Sequence, residues 1–164
     1  MNKTILITGA TSGIGKATAE LLASLGFRLI LAGRRKDRLV ELKDNLRHLA
    51  KIHILNFDVR DKDAISKLIA GLPKDFREID VLINNAGNAY GMGPIHEGEL
   101  DDWDNMIDIN LKGLLYVTRA ISPQMVERKS GHIINIGSLA GVETYPNGAV
   151  YCASKHAVLA ASEG

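Results

Sequence analysis

One cysteine, one tryptophan and four prolines occur in 164 residues, and each scarcity closes off a class of protein. Cys152 stands alone, so no internal disulfide can form, and the expected setting is a reducing cytoplasm. No apolar run approaches the ~20 residues that a membrane-spanning helix needs, and the N-terminus enters a strand pattern at once, without a signal peptide. No charge sign dominates: 20 Lys and Arg against 19 Asp and Glu leave +1 at pH 7. That balance gives no footprint for nucleic acid or an anionic membrane, and Arg34-Arg35-Lys36 with Arg38 is a local cluster only. The five histidines show no ligand spacing such as HExxH, so no metal site is expected. What is present is 46% hydrophobic and 24% charged residues, in a chain long enough for one domain with a real core.

Strand and helix patterns alternate throughout. Strands are expected at Lys3–Thr8, Arg28–Ala32, Lys51–Phe57, Ile79–Ile83 and His132–Gly137. Helices are expected at Ile14–Leu25, Lys36–Leu49, Lys62–Gly71, Asp101–Arg128 and from Ala149 onward. The fourth helix reads as broken near Asp108 and stressed at Pro123, and a glycine-rich loop, Asn88–Gly98, precedes it. Apolar strands separated by helices indicate an α/β domain, a doubly wound parallel sheet covered on both faces. Trp103, Met106 and Ile107 have helical spacing and read as core. Cys152 reads as a small packing residue, and Asp101, Asp102 and Asp104 as acids complementing a helix start.

Two motifs carry chemistry. Thr8-Gly9-Ala10-Thr11-Ser12-Gly13-Ile14-Gly15 follows the apolar run Ile5-Leu6-Ile7, giving strand, glycine-rich turn and helix. Glycines let the backbone approach a pyrophosphate, and a helix N-terminus offers free N–H groups and a positive dipole end. The spacing G-x-x-x-G-x-G differs from the usual dinucleotide G-x-G-x-x-G. Near the other end stand Ser138 and Tyr151-x-x-x-Lys155. A tyrosine and a lysine four apart on a helix share a face. A phenol with an ordinary pKa of about 10 exchanges protons poorly near neutrality, and an adjacent ammonium favours its phenolate. A serine hydroxyl reaching the same point can hold a carbonyl or alcohol oxygen. Together they would move a proton on or off oxygen, as carbonyl/alcohol interconversion requires.

These motifs, with Asn84-Asn85-Ala86-Gly87 and Asn110 between them, occur in an order and spacing that resemble the short-chain dehydrogenase/reductase family over essentially all 164 residues. The resemblance implies a Rossmann fold and an NADP(H)-dependent oxidoreductase with a small carbonyl or alcohol substrate. It looks most like members acting on serine or other small 3-hydroxy acids. It implies cofactor contacts at Gly9, Thr11, Ser12, Gly13, Ile14 and Gly15, at Asp58 and Val59 beside the adenine, and at Asn85, Ala86 and Gly87. It also implies catalytic roles for Tyr151 as proton donor, Lys155 as its partner and ribose ligand, Ser138 as holder of the substrate oxygen, and Asn110 as helix kink and support of a water relay. Asp58 can equally be a turn or helix-cap residue, with Asp61 and Asp63 nearby. Relatives that prefer NAD place an acid after the second strand. Here Gly33-Arg34-Arg35 stands there, and Arg34 and Arg35 suit a 2′-phosphate, so NADP (NADPH) is the expected cofactor.

In the family, further strands and helices follow the last helix seen here, supplying a substrate lid and a loop over the nicotinamide. The expectation is that this chain corresponds to the N-terminal part of a protein that is a homodimer or homotetramer at full length. Ile133-Ile134-Asn135-Ile136 would then be an apolar sheet edge. The rival reading is a cofactor-binding fragment without turnover.

Overall fold

Five apolar runs become five strands in the computed structural model, which describes residues 3–164. They are β1 (Thr4–Thr8), β2 (Arg28–Gly33), β3 (Ile52–Asn56), β4 (Val81–Asn84) and β5 (His132–Asn135). The helices are α1 (Gly13–Ser24), α2 (Lys36–Leu46), α3 (Lys62–Ala70), α4 (Leu100–Ile107), α5 (Leu114–Arg128) and α6 (Ala149–Glu163). All strand pairs are parallel, in the order β3-β2-β1-β4-β5. The expected fold class is therefore what is found.

Side chains alternate across a strand, so the run Ile5-Leu6-Ile7 makes sense only if both faces are covered. Leu6, Ile30 and Leu82 pack on one side with Ile65 of α3 and Val117, Ile121 and Met125 of α5. Ile5, Ile7, Leu29 and Leu31 pack on the other with Ala19 and Ala23 of α1 and Leu39, Leu42 and Leu46 of α2. Each buried Leu or Ile contributes about 1.5–3 kcal/mol. The chain lays β2 and β3 to one side of β1, then β4 and β5 to the other. The strand order therefore reverses between β1 and β4, where a crevice opens at the strands' carboxyl ends.

Several expected boundaries shift. Strand β4 begins at Val81, yet Ile79 is fully buried ahead of it, its N–H donating to the Gln124 side chain (3.1 Å). Strand β5 ends at Asn135 rather than Gly137, although Ile136 N still donates to Asn84 O (2.9 Å). With β3 it is one of the two edge strands among the described residues, and its isoleucines are half-buried. The single long helix is two helices joined by a π-helical turn, Asp108–Gly113, at the expected break. Pro123 does not interrupt α5. An interior proline costs about 3 kcal/mol, less than the combined burial of Val117, Ile121 and Met125 on the same helix. Met106 is core as expected, whereas Trp103 and Ile107 are only half-buried. Trp103 instead packs its ring against Gly98 in the preceding loop.

Candidate active site

A cleft of ≈ 580 Å³ runs along the carboxyl ends of β1, β2, β4 and β5. At one end lies the turn from β1 into α1. Gly9 takes φ +65°, and a Cβ there would stand 2.9 Å from Ala86 Cα. A Cβ on Gly15 would stand 2.5 Å from the Gly9 carbonyl oxygen and run into Asn85 Nδ2. The turn is thus folded tightly onto the segment after β4. Thr8 fastens the two together: its hydroxyl oxygen accepts from Asn85 N and Ala86 N (3.0 Å each), while Asn85 Nδ2 donates to Thr8 O (2.9 Å) and Gly9 O (3.2 Å). Asn85 therefore braces the first strand and lines the cleft at once. Asn84 Nδ2 instead donates to Thr118 Oγ1 and Asn135 Oδ1 (2.9 Å each) and ties β4 to α5 and β5.

Helix α1 begins after Ser12, whose side chain makes no cap hydrogen bond, and no acid stands in the first turn. Its leading N–H groups open onto the glycine turn with the positive end of the helix dipole behind them, an arrangement that favours anions. Ser12 and Thr11 have another partner. Arg35 Nη2 donates to Thr11 Oγ1 (2.8 Å) and Ser12 Oγ (2.9 Å), and Arg35 Nε to Thr11 Oγ1 (3.2 Å). Its guanidinium is therefore held beside the glycine turn. Asn56 Nδ2 donates to Gly33 O and Arg34 O (2.9 and 3.0 Å), fixing the backbone from which both arginines project. Arg34 is 56% exposed and reaches the Asp58 carboxylate at 3.6 Å.

Asp58 lines the cleft and does not cap a helix; Asp61 does that for α3, accepting from Ala64 N (2.9 Å). Burial disfavours the charge on Asp58, but hydrogen bonds from the Arg60 side chain and backbone, with the charges of Arg60 and Arg34, outweigh it and hold the carboxyl below the usual range. Val59 lines the same wall. A Cβ on Gly113 would collide with Val59, so this glycine lets the π turn approach the segment after β3.

The opposite end carries Tyr151 and Lys155, both on α6 and both lining the cleft. Lys155 is 8% exposed, and its Nζ donates to Ile136 O (2.8 Å). Burial pushes its pKa below the ordinary lysine range. Charging it therefore costs stability; the cost is full below the folded pKa and fades as pH rises toward the unfolded value.

Asn110 sits buried in the π turn. Its Oδ1 accepts from Asn88 N (2.8 Å), and its Nδ2 donates to Asn88 O (2.9 Å) and Ser154 Oγ (3.0 Å). Ser154 Oγ in turn donates to Tyr151 O (2.7 Å). One chain of bonds thus joins the segment after β4, the π turn and the backbone of Tyr151. π turns commonly mark functional sites. A Cβ on Gly87 would stand 3.2 Å from Asn110 Oδ1 and 3.8 Å from Lys155 Nζ.

Of the residues singled out from the sequence, Gly9, Thr11, Ser12, Gly13, Ile14, Arg34, Arg35, Asp58, Val59, Asn85, Ala86, Gly87, Tyr151 and Lys155 line this one cleft. Gly15 and Asn110 stand behind its wall. Ser138 is not among the lining residues; it follows Gly137, which is, and is exposed, its Oγ accepting from Ala140 N (3.2 Å). Sequence reasoning missed Asn88, Ser154 and Arg60. Each has a partner 22 to 45 residues away, beside the local bonds of Arg60 to Asp58 and Ser154 to Tyr151, and no local pattern signals the distant pairs. Replacing Gly15 with alanine is expected to lower stability by about 1–3 kcal/mol, because backbone rather than a flexible side chain opposes the methyl. A thermal melt checks this, and a midpoint equal to wild type would contradict the packing described.

Comparison with known proteins fits this geometry. The short chain dehydrogenase family matches residues 3–164. The chain is 49% identical over 151 residues to the NADP-dependent 3-hydroxy acid dehydrogenase YdfG of Escherichia coli, covering 92% of this chain and 60% of that protein. It is 46% identical over 156 residues to sulfoacetaldehyde reductase 2 of Chromohalobacter salexigens, covering 94% and 62%. The crystal structure of serine dehydrogenase from Escherichia coli superimposes with a TM-score of 0.93 at 48% identity, over 98% of this chain and 73% of that one. A closed form of serine dehydrogenase complexed with NADP+ matches with a TM-score of 0.93 over 98% and 64%. The chain thus spans about 60% of the length of the curated relatives it matches. The sheet order, the glycine turn fastened to the segment after β4, and the match over residues 3–164 make this chain a member of the short chain dehydrogenase family.

Proposed function

We propose that the protein interconverts a hydroxyl and a carbonyl on a small 3-hydroxy acid, using NADP(H). The observation that carries this is a single cleft with cationic Arg34 and Arg35 at the glycine turn and Tyr151 with Lys155 at the far end. The cradle suits a dinucleotide phosphate: Gly9 and Gly15 leave no room for a Cβ, Gly13 takes φ +52°, the first turn of α1 carries no acid, and Arg35 is already fixed beside it. Bound there, the cofactor supplies or accepts the hydride.

The chain's own residues do the rest. Gly9 to Ile14 and the α1 N-terminus hold the phosphates, and Arg34 and Arg35 hold a 2′-phosphate. Tyr151 gives its phenolic proton to the substrate oxygen, or takes it in the reverse direction. Lys155, buried and more readily deprotonated than an ordinary lysine, restores that proton and holds ribose hydroxyls. Asn110 fixes the backbone of Tyr151 through Ser154. Ser138 keeps an O–H able to hold the substrate oxygen. The relatives named for 3-hydroxy acids and for serine support the substrate class.

The test is oxidation of a panel of small alcohols by the full-length protein with NADP+, read from the absorbance of the reduced nicotinamide. Small 3-hydroxy acids, serine among them, are expected to exceed matched 2-hydroxy acids by about tenfold or more in kcat/KM. Preference for 2-hydroxy acids, or no NADP+ reduction with any of the panel, would overturn the proposal.

A further inference from the structure

Asp58 stands between two guanidiniums that hold it very differently. Arg60 grips the carboxylate along its whole edge: Nε donates to Oδ1 (3.0 Å), Nη2 to Oδ2 (2.7 Å), and its backbone N to Oδ1 (3.0 Å). Arg34 Nη1 lies 3.6 Å from Oδ2, an ion pair beyond hydrogen-bonding distance. Arg60 is anchored in turn from α4, its Nη1 donating to Asn105 Oδ1 (2.7 Å), while Asn105 Nδ2 donates to Asp101 O (2.7 Å). Arg60 is not among the residues that line the cleft.

We infer that Arg60 is a positioning residue for cofactor choice: by filling most acceptor sites of Asp58 it keeps that carboxylate from drawing Arg34 beyond its loose ion pair into a hydrogen-bonded one, so that Arg34 can turn to a 2′-phosphate. The inference rests on the NADP(H) reading above. A carboxylate offers about four acceptor sites, and Arg60 fills three of them. Without Arg60, the remaining close cation is Arg34, and the fork-to-fork arrangement is the strong geometry for such a pair. Arg34 would turn onto Asp58, and the cleft would also keep a less compensated negative charge facing the incoming phosphate. NADH carries a hydroxyl at that place and loses neither contact. Asp58 remains the adenine-side residue for both cofactors, so a general disturbance of it lowers both affinities together. A loss of positioning by Arg60 changes their ratio.

The experiment titrates NADPH and NADH separately into the full-length protein, following fluorescence of the reduced nicotinamide, with a melting curve for each variant. Arg60→Met is expected to lower the NADPH/NADH affinity ratio about fivefold, the size of one weakened partly exposed charge contact. Asn105→Ala, which releases the far end of Arg60, should move the ratio the same way by less. The double variant Asp58→Asn/Arg60→Met should return the ratio to within about twofold of Asp58→Asn alone, since no carboxylate is left to compete. An unchanged ratio in Arg60→Met, whatever its melting point, overturns the inference, as does a double variant that keeps the ratio of Arg60→Met. If Arg60→Met does not fold, an unchanged ratio in Asn105→Ala overturns it instead. Wild type that favours NADPH while Arg60→Met is unaffected sinks this inference alone. Wild type that does not favour NADPH removes the NADP(H) reading and this inference with it.

Discussion

Tyr151→Phe is expected to lower carbonyl reduction by the full-length protein by about 10²–10⁴-fold, the usual contribution of a positioned general acid, while NADPH binding stays within about twofold of wild type. The separation follows from how the residue is held. The bonds that fix it run through its backbone, from Ser154 Oγ to Tyr151 O, and Ser154 is set by Asn110. The ring is placed by α6, whose Cys152, Ser154, Lys155 and Val158 are buried. Removing the hydroxyl leaves that scaffold and deletes only the proton. Paired measurements of kcat and NADPH affinity check this. Residual activity within about tenfold of wild type is a barrier change of only ~1.4 kcal/mol, too small for the proton donor.

The parts of this architecture legible in the sequence were those written in neighbouring residues. Ile5-Leu6-Ile7 followed by Gly9, Gly13 and Gly15 gives strand, turn and helix, and the structure adds why those glycines are needed: Ala86 and the Gly9 carbonyl leave no room for Cβ on Gly9 and Gly15, and Gly13 takes φ +52°. The break near Asp108 was legible too, and it is a π turn that puts Asn110 in line with Asn88 and Ser154. The helix reads through Pro123 to Arg128 in the sequence and does so in the structure; what no local pattern shows is the burial of Ile121 and Met125 that outweighs the cost of the proline. Asp58 could be read as cap or cleft residue until Asp61 was seen to take the cap. The Arg35–Thr11 and Arg60–Asn105 bonds join residues 24 and 45 positions apart, and only the folded sheet brings them together. Ser138 ends one residue beyond the cleft lining, a displacement no motif spacing reveals.

Arg34→Ala/Arg35→Ala is expected to weaken NADPH binding by about 10²-fold. Hydrogen bonds between charged groups contribute about 1.5–3 kcal/mol each, and the exposure of Arg34 places its share at the low end. Loss of Arg35 also releases Thr11 and Ser12 from their side-chain partner. Both cofactors share that disturbance, so NADH should lose no more than about threefold. The claim that most needs testing is that this cleft is built for a dinucleotide bearing a 2′-phosphate. Parallel fluorescence titrations of NADPH and NADH into wild type and the double variant test it most directly. The predicted result is a wild-type preference for NADPH that collapses in the variant while NADH binding persists; equal losses for both cofactors, or a wild type that prefers NADH, would contradict it.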